Sequence, residues 1–115
     1  MVVERYVEEV LNGHDLGALE ELVADETLRQ RVRLLLEAFP DLEVEPKLVV
    51  SEGNLVAVNL IGRGTHEGMF QGVPPTGRRW AATCSAFYRV EDGRIVDDWI
   101  NWDLLGILDQ LGTPR

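Results

Sequence analysis

The chain has 115 residues, of which 45% are hydrophobic and 27% are charged. This length suits one domain and is too short for two cores, and the composition excludes disordered and fibrous chains, so we treat residues 1–115 as a single domain. The formal net charge of −9 repels phosphate backbones and anionic headgroups, so we expect neither nucleic-acid nor membrane binding.

The residues that commonly bind metals or form disulfides are few. Cys84 is the only cysteine, and His14 and His66 are the only histidines. This set supplies neither an internal disulfide nor a structural zinc site, so we expect no metal. No apolar run approaches the ~20 residues of a membrane span, and the N-terminus lacks the basic start of a signal peptide. We therefore expect a cytoplasmic protein.

The N-terminal part of the chain has the apolar spacing of three helices. In the first, apolar residues recur at intervals of three and four up to Asn12-Gly13, which we expect to end the helix in the left-handed conformation. Asp15 and Asp25 are placed to cap a second and a third helix, and Pro40 stops the third.

From Leu42 the period changes to two, which predicts strands at about 42–51, 55–66, 78–90 and 94–102. Glu52-Gly53-Asn54 and Glu91-Asp92-Gly93 are expected hairpin loops, and a longer Gly/Pro loop spans 68–77. Asp103 is placed to cap a short C-terminal helix. Helices followed by strands indicate an α+β fold, with helices packed on one face of an antiparallel sheet.

The expected three-residue loop before Arg94 pairs Val90 with Arg94, Ala86 with Asp98 and Cys84 with Ile100. Since paired residues share a face, one face is apolar apart from Asp98 and should lie under the helices. It carries Trp80, Ala82, Cys84, Ala86, Tyr88, Val96, Asp98, Ile100 and Trp102, together with Val56, Val58 and Leu60.

The opposite face mixes polar groups with Phe87, Ile95 and Trp99. This is too much apolar area for simple exposure to solvent, so we expect a homodimer through this outer face.

Asp98 is the candidate catalytic residue. Burial raises the pKa of a carboxyl group, which makes it a usable base near neutral pH. Two alternatives remain open: an ion pair or backbone hydrogen bond that satisfies the carboxylate, or a register slipped by one residue that exposes it. The sequence contains no phosphate-binding glycine loop, nucleophile elbow or zinc-protease motif.

The remaining candidates have a structural explanation beside a functional one. His66 ends a strand, where its imidazole can bridge backbone groups of the following loop. We expect Cys84 to be a small buried hydrophobic residue and not a nucleophile, because no basic neighbour is predicted to lower its pKa. The aromatic residues of the inner face are core residues, or they line a cavity for a flat, apolar ligand together with Cys84, Ala86 and Ile100. These aromatic residues are Tyr6, Trp80, Tyr88 and Trp102.

The segments Gly64-Thr65-His66-Glu67-Gly68 and Gly72-Val73-Pro74-Pro75-Thr76-Gly77 resemble the G-x-H-x-G and G-x-P-P-T-G signature of SnoaL-like polyketide cyclases. The resemblance extends from about Phe39 to Gly112 and, more loosely, to the first helix. It implies a nuclear-transport-factor-2-like fold, a cone-shaped curved sheet wrapped by helices around a ligand pocket, dimeric through the sheet. It also implies ring closure by an intramolecular aldol step without cofactor or metal, using an aspartate with a histidine nearby.

Two departures from the family pattern bear on function. The positions that correspond to the aspartate and the histidine are Ile100 and Ala86, neither of which moves a proton, so Asp98 is the nearest carboxylate that could replace them. The chain also lacks a longer segment that family members carry between Asp25 and Thr27, so the pocket is expected to be smaller, more open or filled.

Three hypotheses follow. The first is a cofactor-independent enzyme of the cyclase, isomerase or hydrolase type, in which Asp98 moves a proton of a small apolar substrate and Tyr6 or Trp102 donates a hydrogen bond. The second is a small-molecule-binding protein without catalysis. The third is a dimeric scaffold whose cone has closed.

Overall fold

The structure, a computed structural model, describes residues 1–112. It contains four α-helices and a four-stranded antiparallel sheet in the order β1-β2-β3-β4. The helices are α1 (Val2–Arg5), α2 (Leu16–Leu22), α3 (Glu26–Ala38) and α4 (Leu104–Gln110), and the strands are β1 (Glu43–Glu52), β2 (Leu55–Thr65), β3 (Arg79–Glu91) and β4 (Arg94–Trp102). The α+β class and the short C-terminal helix are as predicted.

The first helix departs from the expected geometry. After α1 it continues as a π-helical segment, Tyr6–Asn12, and Gly13 has a right-handed conformation with φ −83°. The left-handed residue is His14, with φ 56°, so the expected left-handed end at Asn12-Gly13 was wrong. A side chain at position 13 would place its Cβ 2.6 Å from the carbonyl oxygen of Glu9, so this glycine serves close packing.

Side-chain caps begin the other three helices. Asp15 accepts a hydrogen bond from the backbone N–H of Ala18 at 3.0 Å, and Asp25 accepts one from Leu28 at 3.1 Å. Asp103 accepts from Gly106 at 3.0 Å. Each cap satisfies an N–H group that has no partner within its helix.

The β3–β4 hairpin has a different register from the one predicted. Glu91 pairs with Arg94, so the loop has two residues, Asp92 and Gly93, both at positive φ, as in a type I′ turn. A bulge then shifts the register between Arg89 and Val90, and Ala86 pairs with Ile100. The predicted pairs were therefore wrong by one residue at the turn and by two beyond the bulge. A shift of two residues preserves which side chains share a face.

The predicted inner face is the core face of the sheet. From β2 and β3 it buries Val56, Val58, Leu60, Trp80, Ala82, Cys84, Ala86 and Tyr88. Two side-chain amides join the helices to the sheet backbone. The amide of Asn12 donates to the oxygen of Val44 and accepts from its nitrogen, and the amide of Gln110 pairs in the same way with Ala81.

The outer face differs from the prediction at one residue. Phe87 on β3 and Trp99 on β4 are cross-strand partners and are 46% and 44% exposed. Ile95, in contrast, is only 1% exposed. Ile95 lies between the turn and the bulge, where the register is shifted by one residue, and its backbone bridges to Val23 and Ala24. None of the helices within residues 1–112 is long and apolar enough to span a membrane.

Candidate functional site

A cavity of about 660 Å³ lies between the inner face of the sheet and the helical layer. Its size is in the range of small-molecule sites. The lining comes from the π-helical segment and α3, from strands β2 to β4, from the loop after β2 and from the start of α4. The lining residues are Tyr6, Leu11, Leu28, Arg31, Val32, Leu34, Leu35, Leu60, Met69, Phe70, Gln71, Cys84, Tyr88, Asp98, Ile100, Asn101, Trp102 and Leu104.

Most of this lining is apolar or aromatic. Leu34 and Met69 are exposed, so they mark the side on which the cavity meets solvent. A second depression of about 520 Å³ lies between α1 with its π-helical continuation and strands β1 and β2, and two glutamates, Glu4 and Glu8, contribute to its wall. The larger cavity contains the candidate catalytic residue.

Asp98 is paired across the cavity wall with an arginine of α3. The guanidinium Nη2 of Arg31 donates to Oδ1 of Asp98 at 2.7 Å, and the Asp98 side chain is 9% exposed whereas that of Arg31 is 55% exposed. The guanidinium compensates a carboxylate that is largely withdrawn from water. This is the ion pair that sequence analysis left open as an alternative to a free base, and the carboxylate nevertheless lines the cavity.

Two tyrosines adjoin the carboxylate. The rings of Tyr6 and Tyr88 meet edge to face with centroids 5.6 Å apart, and Tyr88 is the cross-strand partner of Asp98. Burial raises the pKa of both phenols, and the charge of Asp98 raises them further. Both hydroxyls therefore stay protonated at neutral pH and can act as hydrogen-bond donors.

Cys84 also lines the cavity, and burial raises the pKa of its thiol to about 12. At neutral pH the group is a neutral thiol, which is a poor nucleophile. Cys84 therefore packs as a small hydrophobic side chain.

Trp102 lines the cavity, whereas Trp80 and Ala86, two of the predicted ligand contacts, do not. Trp80 is buried behind other rings, with centroids 5.7 Å from Trp102 and 4.8 Å from Phe39. Ala86 is buried between its cross-strand partners Val58 and Ile100. Both side chains lie on the inner face as predicted, but neighbouring side chains separate them from the cavity.

His66 is fully buried and organises the loop that follows β2. Its Nδ1 accepts a hydrogen bond from the backbone N–H of Thr76 at 3.2 Å and lies 3.0 Å from the Thr76 hydroxyl. Its backbone pairs with Arg78 and Gly77. This is the arrangement expected for a structural role, and it fixes the base of the loop that carries the cavity residues Met69, Phe70 and Gln71.

Two parts of the lining were not predicted from the sequence: Arg31 and the loop residues 69–71. Arg31 follows Leu28 by three positions and precedes Leu35 by four, which places it on the helix face of two cavity residues. That spacing was a usable signal. Residues 1–112 contain no group of three or more histidine, cysteine, aspartate or glutamate side chains that could hold a metal ion.

A family model described as SnoaL-like polyketide cyclase matches residues 1–111. The chain belongs to the SnoaL-like polyketide cyclase family. Aklanonic acid methyl ester cyclase DauD from Streptomyces sp. strain C5 is 34% identical over 116 aligned positions, covering 98% of this chain and 71% of the relative.

Solved structures of this family share the fold. IdmH from Streptomyces antibioticus has 32% sequence identity and a TM-score of 0.79, covering 97% of this chain and 96% of that chain. A SnoaL-like polyketide cyclase from Agrobacterium tumefaciens strain C58 has 25% identity and a TM-score of 0.81, covering 96% of this chain and 95% of that chain. The curved sheet with helices on one face is therefore the family fold.

Proposed function

We propose that this member of the family is a cofactor-independent acid/base enzyme of the cyclase type. Asp98 moves a proton of a small, mainly apolar carbonyl compound bound in the cavity. The observation that carries the proposal is that, within residues 1–112, Asp98 is the only carboxylate in the cavity lining and lies beside two protonated phenols and one guanidinium. Relatives named as cyclases support the reaction type.

The proposed reaction is an intramolecular aldol closure. The Asp98 carboxylate removes a proton from the carbon next to a carbonyl group, and the electrons of that C–H bond form an enolate. The enolate carbon bonds to a second carbonyl carbon of the same molecule. The resulting alkoxide takes the proton back from the Asp98 carboxyl group, so the enzyme ends as it began.

Tyr6 and Tyr88 supply the hydrogen bonds that this reaction needs. A neutral phenol can donate to the oxygen on which the enolate charge develops, and both tyrosines are buried. One such donor contributes about 10²–10³ to the rate, and a positioned general base contributes about 10²–10⁴. Together these contributions are large enough for measurable catalysis without any cofactor.

A second candidate function is ligand binding without turnover. The observation that favours it is the cross-strand pair of Ala86 and Ile100, which stand where the family resemblance places the histidine and the aspartate of the aldol step. An alanine and an isoleucine carry no proton. The cavity of about 660 Å³ argues against the third hypothesis, a scaffold whose cone is closed.

The test is exchange of the carbon-bound protons of 1-tetralone, a flat aromatic ketone, in D₂O followed by NMR. Only proton removal is measured, so the natural substrate is not required. We expect the wild type to accelerate exchange over buffer and Asp98→Asn to lower the enzyme-dependent rate by about 10²–10⁴.

The matched control is Asp97→Asn. Asp97 is the neighbouring acid on the outer face, where its charge pairs with Arg89 at 3.9 Å, and its replacement should leave the exchange rate unchanged. Absence of acceleration by the wild type, or equal rates for wild type and Asp98→Asn, would overturn the enzymatic proposal and favour ligand binding.

We also propose that the protein dimerises through the outer face of its sheet. One row of residues crosses all four strands, Val50 pairing with Ala57, Ala57 with Phe87, and Phe87 with Trp99. The row is apolar, and Val50, Phe87 and Trp99 are exposed. A second copy would cover it.

Light scattering after size-exclusion chromatography tests this second proposal. We expect a dimer for the wild type and a monomer for Trp99→Arg. Leu105→Arg, which changes an exposed leucine of α4, should leave the dimer intact. A monomeric wild type contradicts the proposal.

A further inference from the structure

We propose that the ligand of the cavity carries a carboxylate group and that Arg31 binds it. This inference rests on the proposed function, because it assumes that the cavity is the ligand site. It adds the substrate class: an apolar carbonyl compound with a free acid at the end that faces α3.

The first support is the distribution of charge in the cavity. Among the cavity-lining residues in the described part of the chain, only Arg31 and Asp98 are charged. The side chain of Arg31 is 55% exposed, so its guanidinium extends beyond its contact with Asp98. Leu28, Leu34 and Leu35 surround it on the same helix within the lining. A cation set among apolar side chains favours a ligand that is apolar except for one negative group.

The second support is the number of N–H donors of the Arg31 guanidinium that remain without a hydrogen-bond partner among residues 1–112. An arginine has five N–H donors, and within residues 1–112 Arg31 engages only Nη2, in its bond to Asp98. The pairing is through one carboxylate oxygen, so the guanidinium retains donors for a second carboxylate. Guanidinium groups pair with planar carboxylates through two parallel bonds.

The other arginines of α3 show the contrast. Arg29 bonds to the backbone oxygen of Val23 and pairs with both Glu20 and Glu26. Arg33 likewise pairs with both Glu20 and Glu26. Both of these arginines bond to two glutamates, whereas Arg31 pairs only with Asp98 among residues 1–112 and lines the cavity. Arg31 is therefore the arginine of α3 with donors left for a ligand.

The experiment compares 2-naphthoic acid with methyl 2-naphthoate by calorimetry at pH 7.5, where the acid is ionised. The two probes share their ring system and differ in charge at one group. We expect the wild type to bind the acid about tenfold more tightly than the ester, which corresponds to ~1.4 kcal/mol. Arg31→Gln should remove this preference by weakening acid binding while leaving ester binding unchanged.

Three further variants make the result specific. Arg33→Gln, on the same helix but outside the cavity lining, should retain the preference. Arg31→Lys keeps the charge without the planar fork and should give an intermediate preference, so it also serves if Arg31→Gln folds poorly. Asp98→Asn should still prefer the acid, because it leaves Arg31 in place.

The outcomes separate the two proposals. Equal binding of acid and ester by the wild type, or equal loss of both in Arg31→Gln, overturns this inference and leaves the catalytic proposal standing. Retained acid preference in Asp98→Asn together with unchanged proton exchange overturns the catalytic role of Asp98 and leaves this inference standing. Failure of the wild type to bind either probe overturns this inference, and the 1-tetralone exchange assay alone then decides the catalytic proposal.

Discussion

The substitution Gly62→Ala tests the packing that holds Trp102 in the cavity wall. A Cβ at position 62 would lie 2.6 Å from Cη2 and 2.7 Å from Cζ3 of Trp102, far inside the ~3.5–4.0 Å contact distance of two carbon atoms. The indole ring is rigid and packs at 84° to the ring of Trp80, so the alanine must displace it. Overpacking of this kind costs about 1–3 kcal/mol.

Replacing a glycine within a strand by alanine stabilises the folded state by about 0.5–1 kcal/mol, because the unfolded chain loses conformational freedom. We therefore expect Gly62→Ala to lower the free energy of unfolding by a net ~1–2 kcal/mol. Urea denaturation followed by far-ultraviolet circular dichroism measures this loss. In a Trp102→Leu background the clash is absent, and the same alanine should be neutral or stabilising. An equal loss in both backgrounds would refute the contact between Trp102 and Gly62.

Because burial raises the pKa of Cys84 from 9.0 to about 12, iodoacetamide should label the folded protein at pH 8 about 10³-fold more slowly than the urea-unfolded chain, and equal labelling rates would contradict the burial. Burial raises the pKa values of Tyr6, Tyr88 and Cys84 in the folded protein, so in alkaline solution the unfolded state binds fewer protons than the folded state. The contribution of these groups to the free energy of unfolding is therefore complete below about pH 9 and should fall as the pH rises towards 12. Urea midpoints between pH 7 and 11 should show this fall, and Cys84→Ala should make it shallower; a flat profile would contradict the pKa shifts. Asp25→Ala should cost about 1 kcal/mol by removing the cap of α3, whereas Asp25→Ser, which can still accept the hydrogen bond, should cost little in the same denaturation assay.

The elements of the fold could be predicted because the signals are local. Caps at Asp15, Asp25 and Asp103 and the change of period near Leu42 depend on neighbouring residues only. The β3–β4 register depends on turn type, and Glu91-Asp92-Gly93 suits either a three-residue loop or the observed two-residue turn followed by a bulge. The two errors add to a shift of two residues, so Asp98 stayed on the inner face while Ile95, between the turn and the bulge, moved to the core.

For the candidate site, the sequence predicted which strand residues face the cavity but not the contacts between the helices and the sheet. Sheet parity placed Asp98, Tyr88 and Ile100 on the cavity side, because alternation along a strand fixes the face. Pairing of Arg31 with Asp98 joins residues 67 positions apart and depends on how α3 is rotated against the sheet, which periodicity does not determine. The same limit applies to Trp80 and Ala86, whose burial behind neighbours depends on packing in three dimensions.

A crystal structure with bound 1-tetralone shows whether a ketone in the larger cavity reaches Asp98, as the proposed proton transfer requires. We expect the ring system to lie in the larger cavity between Tyr6 and Trp102, with the carbon next to the carbonyl within about 3.5 Å of an Asp98 carboxylate oxygen. A ketone held in the depression beside α1 and β1, or bound in the larger cavity with Asp98 out of reach, would exclude Asp98 as the base.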